Sequence, residues 1–551
     1  MKRLIFKSSL LIVLLTCNLI LVQAQDYPVS DPTNAGGWIA NNYLSDEFNG
    51  TTLDKTKWWI LGEDGDYRSK WKGRAPGQFA PNNVRVENGD LILSTKWEPS
   101  FTFLNEKQDG TFYGGTATAA DKSMPITQAC ILSERFFKYG YMEVRCKLAD
   151  APVTGAFWTT GYHSEIDMVE NYGKRPIGNP KNQNADLEKK YRTNIINWDP
   201  ETTSTSNWKK ETVLAERVAS DYFVYGFEWD KDYVKIYFNG TLIRQATRQE
   251  LETADQWRLF YPQEVWLDTE VFSWYGLPAM ADLNTPAEFK IDYVRIWQKE
   301  ITPPNFDALG FEGPFNFQGR SSNWYSAGTV NWRMKNDKAA TGDLSLRFKN
   351  TGTLSGNYTM YSPYGAINLP TGSNEIKMKV WIDPSITVNK IRVILNNPFA
   401  NIDLNISGVE KGKWVEVSKT FSRASASNLS LTNGDRIAVQ LQSGDVTGSN
   451  ILLYVDDISF KFDNSKVLDI PKVTEHSFQI FPNPTKENLT IVSPDNGKIK
   501  IYNSLGTIVK KVEKTSESQT FSVSDLAKGI YFMTLTNANS VTTKSQKLIV
   551  Q

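Results

Sequence analysis

Short runs of alternating apolar and polar residues recur along the whole chain. Clear examples are residues 141–145, 234–238 and 291–297. These runs are rich in β-branched and aromatic residues, and turn-forming pairs such as Asn239-Gly240 separate them. Apolar residues at helical spacing are scarce. The pattern therefore predicts an all-β protein built of sandwiches.

The chain is too long for one hydrophobic core. It has 551 residues, and Pro303 and Pro304 indicate a linker between strand-rich regions. A polar stretch after residue 462 indicates a second boundary. We predict four segments: a signal peptide (1–24), a large first β-sandwich (25–299), a smaller β-sandwich (306–462) and a terminal β-sandwich (476–551).

The first residues are typical of an export signal. Basic residues precede an apolar stretch from Leu10 to Val22, and Val22-Gln23-Ala24 provides a small-residue cleavage site. The alternative is a membrane anchor, but the run is short and Asn18 interrupts it. We therefore expect an exported protein that does not insert into a membrane.

Charge and composition exclude several classes of function. The 61 basic and 61 acidic residues balance, so no overall field favours nucleic acid or an anionic membrane. Two histidines are too few for a multi-histidine metal site.

Two cysteines remain once the signal is removed. Cys130 and Cys146 flank a turn-like segment at 137–140, and a hairpin there would place them opposite each other. A disulfide and two buried thiols are both open alternatives.

The strongest candidate for chemistry is the segment 163–170. In a strand, His163, Glu165 and Asp167 would share one face, since side chains alternate. Glu170 breaks this period, and a β-bulge at Met168-Val169 would return it to the acidic face. Three carboxylates on one face are hard to explain as packing.

The spacing of these carboxylates suits a retaining glycosidase. With a bulge, the Cα atoms of Glu165 and Glu170 would lie about 13 Å apart, and their side chains can approach to about 5–5.5 Å. Glu165 would attack the sugar, Glu170 would protonate the leaving oxygen, and Asp167 between them would hydrogen-bond the nucleophile and keep the acid protonated. The alternative is an exposed acidic strand edge.

Several motifs in order resemble glycoside hydrolase family 16, in its bulged subgroup. They are the active-site strand 165–170, Ala156-Phe157-Trp158, and segments at 44–50, 225–229 and 292–297. The resemblance implies a curved β-jelly-roll (concanavalin-like) sandwich with an open cleft. It also implies Glu165 as nucleophile, Asp167 as assistant and Glu170 as acid/base, with no cofactor required for catalysis.

The motifs also indicate a class of substrate. Residues 164–170 look most similar to κ-carrageenases, which suggests a retaining endo-hydrolase of a sulfated red-algal galactan, κ-carrageenan or furcellaran. Basic residues interleaved with aromatic ones could bind sulfate and stack on sugars, although a solvated basic loop is the alternative. These residues are Arg68, Lys70, Lys72, Arg74, Tyr67 and Trp71. A β-agarase or porphyranase, then a laminarinase, are the alternative enzymes, and a non-catalytic lectin is the alternative class.

Three further residues are candidate substrate contacts. Trp158 would floor the cleft, His163 would share a face with Glu165, and Trp274 could form another aromatic subsite. Plain packing is the alternative for each of them.

The middle segment resembles carbohydrate-binding modules of the β-sandwich type. Such modules often carry a structural calcium, and Glu312 and Asp456 are the candidate ligands because hard cations prefer carboxylates. A plain spacer sandwich is the alternative.

The last segment resembles the C-terminal sorting domain of the type nine secretion system. The matching residues are 481–484, 501–506, 526–531 and 547–550. The resemblance implies the type nine secretion machinery as a partner and an extracellular or cell-surface location. We expect a monomer.

Overall fold

The structure is a computed structural model that describes most of the chain. The described residues are 27–68, 71–103, 124–176, 186–202, 206–300, 309–313, 324–326, 331–430, 433–462, 478–503, 508–537 and 546–551. The predicted signal peptide and the proline linker lie outside them. The chain forms two compact units, Met1–Phe462 and Asp463–Gln551.

Seventeen strands form the first sandwich of the larger unit. They are β1 (Ile39–Ala40), β2 (Trp58–Ile60), β3 (Gly77–Phe79), β4 (Val84–Glu87), β5 (Asp90–Trp97), β6 (Ile126–Phe137), β7 (Gly140–Lys147), β8 (Thr154–Gly161), β9 (Ser164–Tyr172), β10 (Lys190–Asn197), β11 (Ser206–Asn207), β12 (Lys210–Val213), β13 (Phe223–Trp229), β14 (Tyr233–Phe238), β15 (Thr241–Thr247), β16 (Gln263–Thr269) and β17 (Ala287–Gln298). One short helix, α1 (Arg248–Thr253), follows β15, and Thr247 and Glu250 form its capping box.

The strands pair into two layers. The first layer has the order β2-β6-β16-β8-β9-β10, and β11 and β12 both pair with β10. The second has the order β4-β5-β17-β7-β13-β14-β15. This is the predicted jelly-roll sandwich, and the runs at 141–145, 234–238 and 291–297 lie in β7, β14 and β17 as expected.

The core lies between the two layers. Ile166, Met168 and Val169 of β9 face Val144 of β7 and Val294 of β17 within one apolar cluster, and all five are fully buried. Alternation explains the arrangement, because each strand turns one set of side chains inward and the other outward. The outward set of β9 is therefore available for chemistry.

The hairpin expected around Cys130 and Cys146 does not form. Cys130 on β6 lies opposite Asp268 of β16, whereas Cys146 on β7 lies opposite Phe223 and Ile291 of the second layer. Both are free, buried thiols. The disulfide alternative is thus wrong, because β6 and β7 belong to different layers.

Twelve strands form the second sandwich of the larger unit. They are β18 (Tyr325–Ser326), β19 (Trp332–Lys335), β20 (Ser345–Thr351), β21 (Asn357–Tyr361), β22 (Gly372–Ile382), β23 (Thr387–Val388), β24 (Lys390–Asn396), β25 (Phe399–Asn405), β26 (Trp414–Arg423), β27 (Ile437–Gln442), β28 (Val446–Thr447) and β29 (Asn450–Phe462). Two five-stranded sheets, β18-β21-β27-β24-β25 and β19-β20-β29-β22-β26, provide its layers. We call this domain the middle sandwich.

The smaller unit has its own core. Its strands are β30 (Gln479–Phe481), β31 (Asn488–Val492), β32 (Gly497–Tyr502), β33 (Ile508–Lys514), β34 (Ser518–Ser522), β35 (Gly529–Asn537) and β36 (Gln546–Val550). They form a three-stranded and a four-stranded sheet around side chains such as Leu489, Ile499 and Met533. In the part of the chain that is described, no helix has the length and apolar character needed to span a membrane.

Candidate active site

The three predicted carboxylates lie on β9, and the predicted bulge is present. Along the pairing of β8 with β9, Phe157 lies opposite Val169 and Trp158 opposite Asp167, so Met168 has no partner and is the extra residue. The bulge reverses the alternation once, as expected. Met168 and Val169 are both buried in the core, and Glu170 returns to the face of Glu165 and Asp167.

This face opens into a cleft of about 460 Å³. Carboxylates, guanidinium groups and aromatic rings line it together. The lining residues are Arg68, Trp71, Arg74, Phe136, Ala156, Trp158, Thr160, Gly161, Glu165, Asp167, Glu170, Trp198, Tyr261, Trp266, Asp268, Glu270 and Phe272. The cleft thus contains Glu165, Asp167 and Glu170 together.

Burial and mutual repulsion raise the pKa values of the carboxylates on β9. Burial raises the pKa of Asp167 well above its usual value, and the charges of Glu165 and Glu170 raise it further. Burial also raises the pKa of Glu165, while hydrogen bonds from Trp198 and Asp167 oppose that rise. The neutral Asp167 therefore donates a hydrogen bond to the carboxylate of Glu165.

Glu170 has a different set of neighbours. Burial raises its pKa, and the cations of Arg192 and Arg74 partly offset the rise. Arg192 Nη2 lies 3.9 Å from Glu170 Oε2. A carboxyl with a raised pKa can hold a proton at a pH where an ordinary glutamate has lost it, which is what a general acid requires.

Trp158, which was predicted to form the floor, is one of the residues that line the cleft. Its ring stacks on Trp266, with 4.6 Å between the ring centroids and 29° between the planes. Its Nε1 donates a hydrogen bond of 2.6 Å to Asp268 Oδ2. The neighbouring strand β16 thus fixes the orientation of the Trp158 ring.

The basic cluster is ion-paired with buried glutamates. Arg68 Nη2 lies 3.0 Å from Glu264 Oε2, and Arg74 Nε lies 3.5 Å from Glu270 Oε2. The Arg74 guanidinium also lies over the ring of Trp71, 5.4 Å from its centroid.

Lys72 is not among the residues that line the cleft. Lys72 lies over the ring of Tyr67, 5.8 Å from the centroid. Lys70 lies outside the described residues.

The remaining predicted contacts have different positions. Trp274 is 49% exposed and stacks on Phe272, with 4.4 Å between centroids, and Arg74 lies over both rings. His163 was expected to share the strand face of Glu165, but it precedes β9 in a turn with φ of 55° and is not among the residues that line the cleft. Burial is the main cause that lowers the pKa of His163 to about 4.

Among the lining residues that were not predicted, three add a hydrogen-bond donor or a carboxyl group to the cleft. Trp198 follows β10, and its Nε1 donates a hydrogen bond of 3.0 Å to Glu165 Oε2. Asp268 and Glu270 come from the segment that begins with β16, and burial is the main cause that raises their pKa values. Alternating carboxylates at 264, 268 and 270 repeat the pattern of β9 and could have been noticed in the sequence.

The two candidate calcium ligands accept hydrogen bonds from backbone amides. Glu312 Oε1 accepts from Asp343 N and Leu344 N at 2.8 Å each, and Asp456 Oδ2 accepts from Ala340 N at 2.7 Å. Across the described ranges, no group of three or more His, Cys, Asp or Glu side chains could hold a metal ion. Calcium binding stays a prediction.

Comparison with known families agrees with the fold and the cleft. Residues 38–299 match the family described as "Beta-porphyranase A-D, GH16 domain". This part of the chain is therefore a glycoside hydrolase domain. More narrowly, it is a domain of glycoside hydrolase family 16, as the motifs predicted.

The terminal unit also matches a known family. Residues 479–551 match the "Secretion system C-terminal sorting domain", which confirms the predicted type nine sorting domain. The protein is accordingly secreted or held at the cell surface.

Three proteins of Zobellia galactanivorans are among those similar to this chain. Beta-agarase A is 23% identical over 575 residues, which cover 96% of this chain and 97% of the relative. Beta-porphyranase D is 26% identical over 49% of this chain and 62% of the relative. The crystal structure of porphyranase B is 20% identical, with a TM-score of 0.39, and covers 47% of this chain and 92% of that chain.

Proposed function

We propose that the protein is a retaining endo-hydrolase that cleaves β-1,4-galactosidic bonds in agar-type galactans of red algae. The observation that carries the proposal is the bulged strand β9, which presents Glu165, Asp167 and Glu170 to one open cleft. A binding protein has no need of a buried acid with a raised pKa, so this arrangement favours an enzyme over a lectin.

The reaction would proceed in two steps. Glu165 attacks the anomeric carbon while Glu170 gives its proton to the departing glycosidic oxygen, and a glycosyl ester on Glu165 results. Glu170, now ionised, then takes a proton from a water molecule that attacks the same carbon and releases Glu165. Two displacements at one carbon leave its configuration unchanged.

Hydrogen bonds around Glu165 would set its reactivity. The indole of Trp198 and the neutral carboxyl of Asp167 both hydrogen-bond the carboxylate. These hydrogen bonds keep Glu165 ionised despite its burial. They also stabilise its carboxylate when it departs from the sugar as the ester is hydrolysed. The same contacts orient the attacking oxygen, which lowers the entropic cost of the attack.

The relatives and the charge of the cleft support agarose as the preferred galactan. The matched enzymes include a beta-agarase, which covers 96% of this chain, and several beta-porphyranases, which cover about half of it. Among the described residues, five carboxylates and two guanidinium groups line the cleft, and the guanidinium groups of Arg68 and Arg74 are already paired with glutamates. A sulfate close to the reacting bond would have to compete with these glutamates for a guanidinium group, whereas a neutral sugar would not.

A sulfated galactan is the second candidate. The similarity of residues 164–170 to κ-carrageenases favours κ-carrageenan or furcellaran, and Arg74 at 37% side-chain exposure could still reach a sulfate. Release of reducing ends from agarose, porphyran, κ-carrageenan, furcellaran and laminarin separates the candidates. We expect the fastest release from agarose, then porphyran. Activity confined to κ-carrageenan or to laminarin would overturn the choice of substrate.

The stereochemistry of the first product tests the mechanism independently. Proton NMR of a fresh digest should show the β anomer at the new reducing end before mutarotation. An α anomer would mean that water, and not Glu165, attacks the sugar. Binding to galactan without release of any oligosaccharide would favour the lectin.

A further inference from the structure

One wall of the cleft is a turn that follows β10. Trp198 in this turn is 47% exposed, lines the cleft and donates its Nε1 hydrogen to Glu165 at 3.0 Å. Its backbone N–H also donates to the carbonyl oxygen of His163 at 2.9 Å. The position of this turn therefore decides whether Glu165 keeps its hydrogen bond.

The middle sandwich contacts the same turn with a set of charged side chains. Lys335 Nζ on β19 lies 2.5 Å from Asp199 Oδ2 and 3.3 Å from Glu201 Oε2. Arg347 on β20 forms an ion pair with Glu201. Two strands of the middle sandwich thus hold both acidic residues of the turn.

Arg258 joins the two sandwiches from the catalytic side. Its Nη2 lies 3.4 Å from Asp199 Oδ2 and donates to Met334 O at 3.1 Å, and its Nη1 donates to Asn336 Oδ1 at 2.8 Å. The carboxylate of Asp199 consequently lies between a cation from each sandwich.

These ion pairs are buried, which makes the loss of either partner costly for stability. The side chains of Asp199 and Arg258 are each 4% exposed, and those of Arg347 and Lys335 are 6% and 12% exposed. Removing one partner of a buried pair leaves the other charge without compensation, which is far more disruptive than the loss of a surface pair.

We infer that the middle sandwich completes the active site, with Lys335 and Arg347 as positioning residues that hold Trp198 against Glu165. The inference rests on the proposed function for the role of Glu165. It gives the middle sandwich a part in catalysis that is separate from any binding of polysaccharide.

The inference has a specific signature in the pH profile. Burial raises the pKa of Glu165, and the hydrogen bond from Trp198 lowers it. If the turn shifts, that bond is lost and Glu165 becomes ionised only at higher pH. The acid limb of kcat/KM must then move to higher pH, whereas a purely structural defect would lower the amount of active enzyme without moving the limb.

A double-mutant cycle in the full chain tests the signature. Lys335→Met and Trp198→Phe should each move the acid limb upward and lower kcat by about tenfold, since a hydrogen bond to a charged group is lost. In the double variant, Lys335→Met should add nothing to Trp198→Phe, because it acts through Trp198. Lys377→Met, which breaks an exposed pair with Glu416 in the same sandwich, should leave the profile unchanged.

Hydrogen exchange provides a readout that needs no substrate. Peptides containing residues 197–202 should exchange faster in Lys335→Met than in the wild type or Lys377→Met, at equal temperatures below unfolding. If Lys335→Met is poorly folded, Arg347→Met should give the same two results.

The outcomes are distinguishable. Unchanged exchange at 197–202, an acid limb that stays in place, or additive shifts in the double variant would each overturn the inference. If the wild type degrades no galactan, the proposed function fails, while the exchange experiment still decides whether the middle sandwich holds the turn.

Discussion

At the scale of single residues, the neighbours of each carboxylate on β9 distinguish its role. Glu165 receives hydrogen bonds from Trp198 and Asp167, and Glu170 lies near the Arg192 guanidinium. A carboxylate that receives hydrogen bonds is stabilised in its charged form, as a nucleophile requires.

Removal of these groups should abolish turnover. We expect Glu165→Ala and Glu170→Ala to lower kcat by roughly 10³-fold or more, and Asp167→Asn to lower it by about 10²-fold. Circular dichroism and the unfolding midpoint should stay near those of the wild type, because the three side chains face the cleft and not the core. Substantial activity in Glu165→Ala would exclude it as the nucleophile.

Arg192 should set the basic limb of the pH profile. Its cation, 3.9 Å from Glu170, partly offsets the rise in the pKa of Glu170 that burial causes. In Arg192→Met, Glu170 should keep its proton to higher pH, so the basic limb of kcat/KM should move upward while the acid limb stays.

The matched control is Arg217→Met, since Arg217 pairs with Asp150 and Glu188 and does not line the cleft. It should move neither limb. A basic limb that moves downward in Arg192→Met would contradict the assignment of Glu170 as the acid.

At the scale of strands, local patterns were enough to find β9 but not the hydrogen-bond partners that distant segments bring to the cleft. Alternation and the single break at Glu170 predicted both the acidic face and the bulge, because they depend on consecutive residues. The partners of β9 come from far along the chain: Asp268 lies 110 residues from Trp158, and Trp198 lies 33 residues from Glu165. No local period specifies such pairs.

The same limit explains the error at the cysteines. The segments on either side of the turn at Lys138 are both strands, as predicted, and a hairpin is the simplest way to join them. The choice of layer depends on distant partners, β16 for Cys130 and both β13 and β17 for Cys146. His163 was misplaced for a more local reason, since its left-handed φ keeps it out of β9, which begins one residue later at Ser164.

β16 should contribute to substrate binding through Trp158. In Asp268→Ala the indole Nε1 loses its acceptor, and the ring is free to turn away from the cleft floor. We expect KM to rise about fivefold, since the loss of one hydrogen bond is worth about 1 kcal/mol. The control is Asp292→Ala, which breaks an ion pair with Arg145. Both residues lie in the second layer, away from β16, so this change should leave KM unaltered. Equal KM values in the two variants would argue against this role.

At the scale of the whole molecule, the contact of Asp199 with Arg258 and Lys335 between the two sandwiches should make the stability of the protein depend on pH in the acid range. Burial alone would raise the pKa of Asp199, but Arg258 and Lys335 outweigh it and lower the pKa to about 2. An unfolded aspartate titrates near 3.9. The contribution of Asp199 to stability is therefore complete above about pH 4 and is lost as the pH falls toward 2.

Asp199→Asn should reveal this contribution. Urea unfolding near pH 6 should show a variant less stable by about 2 kcal/mol, and the difference should close as the pH falls from 4 to 2. Asp292→Asn, which breaks a partly exposed pair with Arg145, is the matched control. A difference that stays constant with pH would mean that Asp199 acts by packing alone.

The two buried thiols give the exported protein an unusual independence from redox conditions. Burial raises the pKa of both Cys130 and Cys146, so neither forms the reactive thiolate while the sandwich is closed. Folding requires no oxidant to join them, and mild reductants should not change the melting temperature. Because one thiol belongs to each layer, the rate at which an aromatic disulfide reagent modifies each cysteine would reveal which side of the domain opens first.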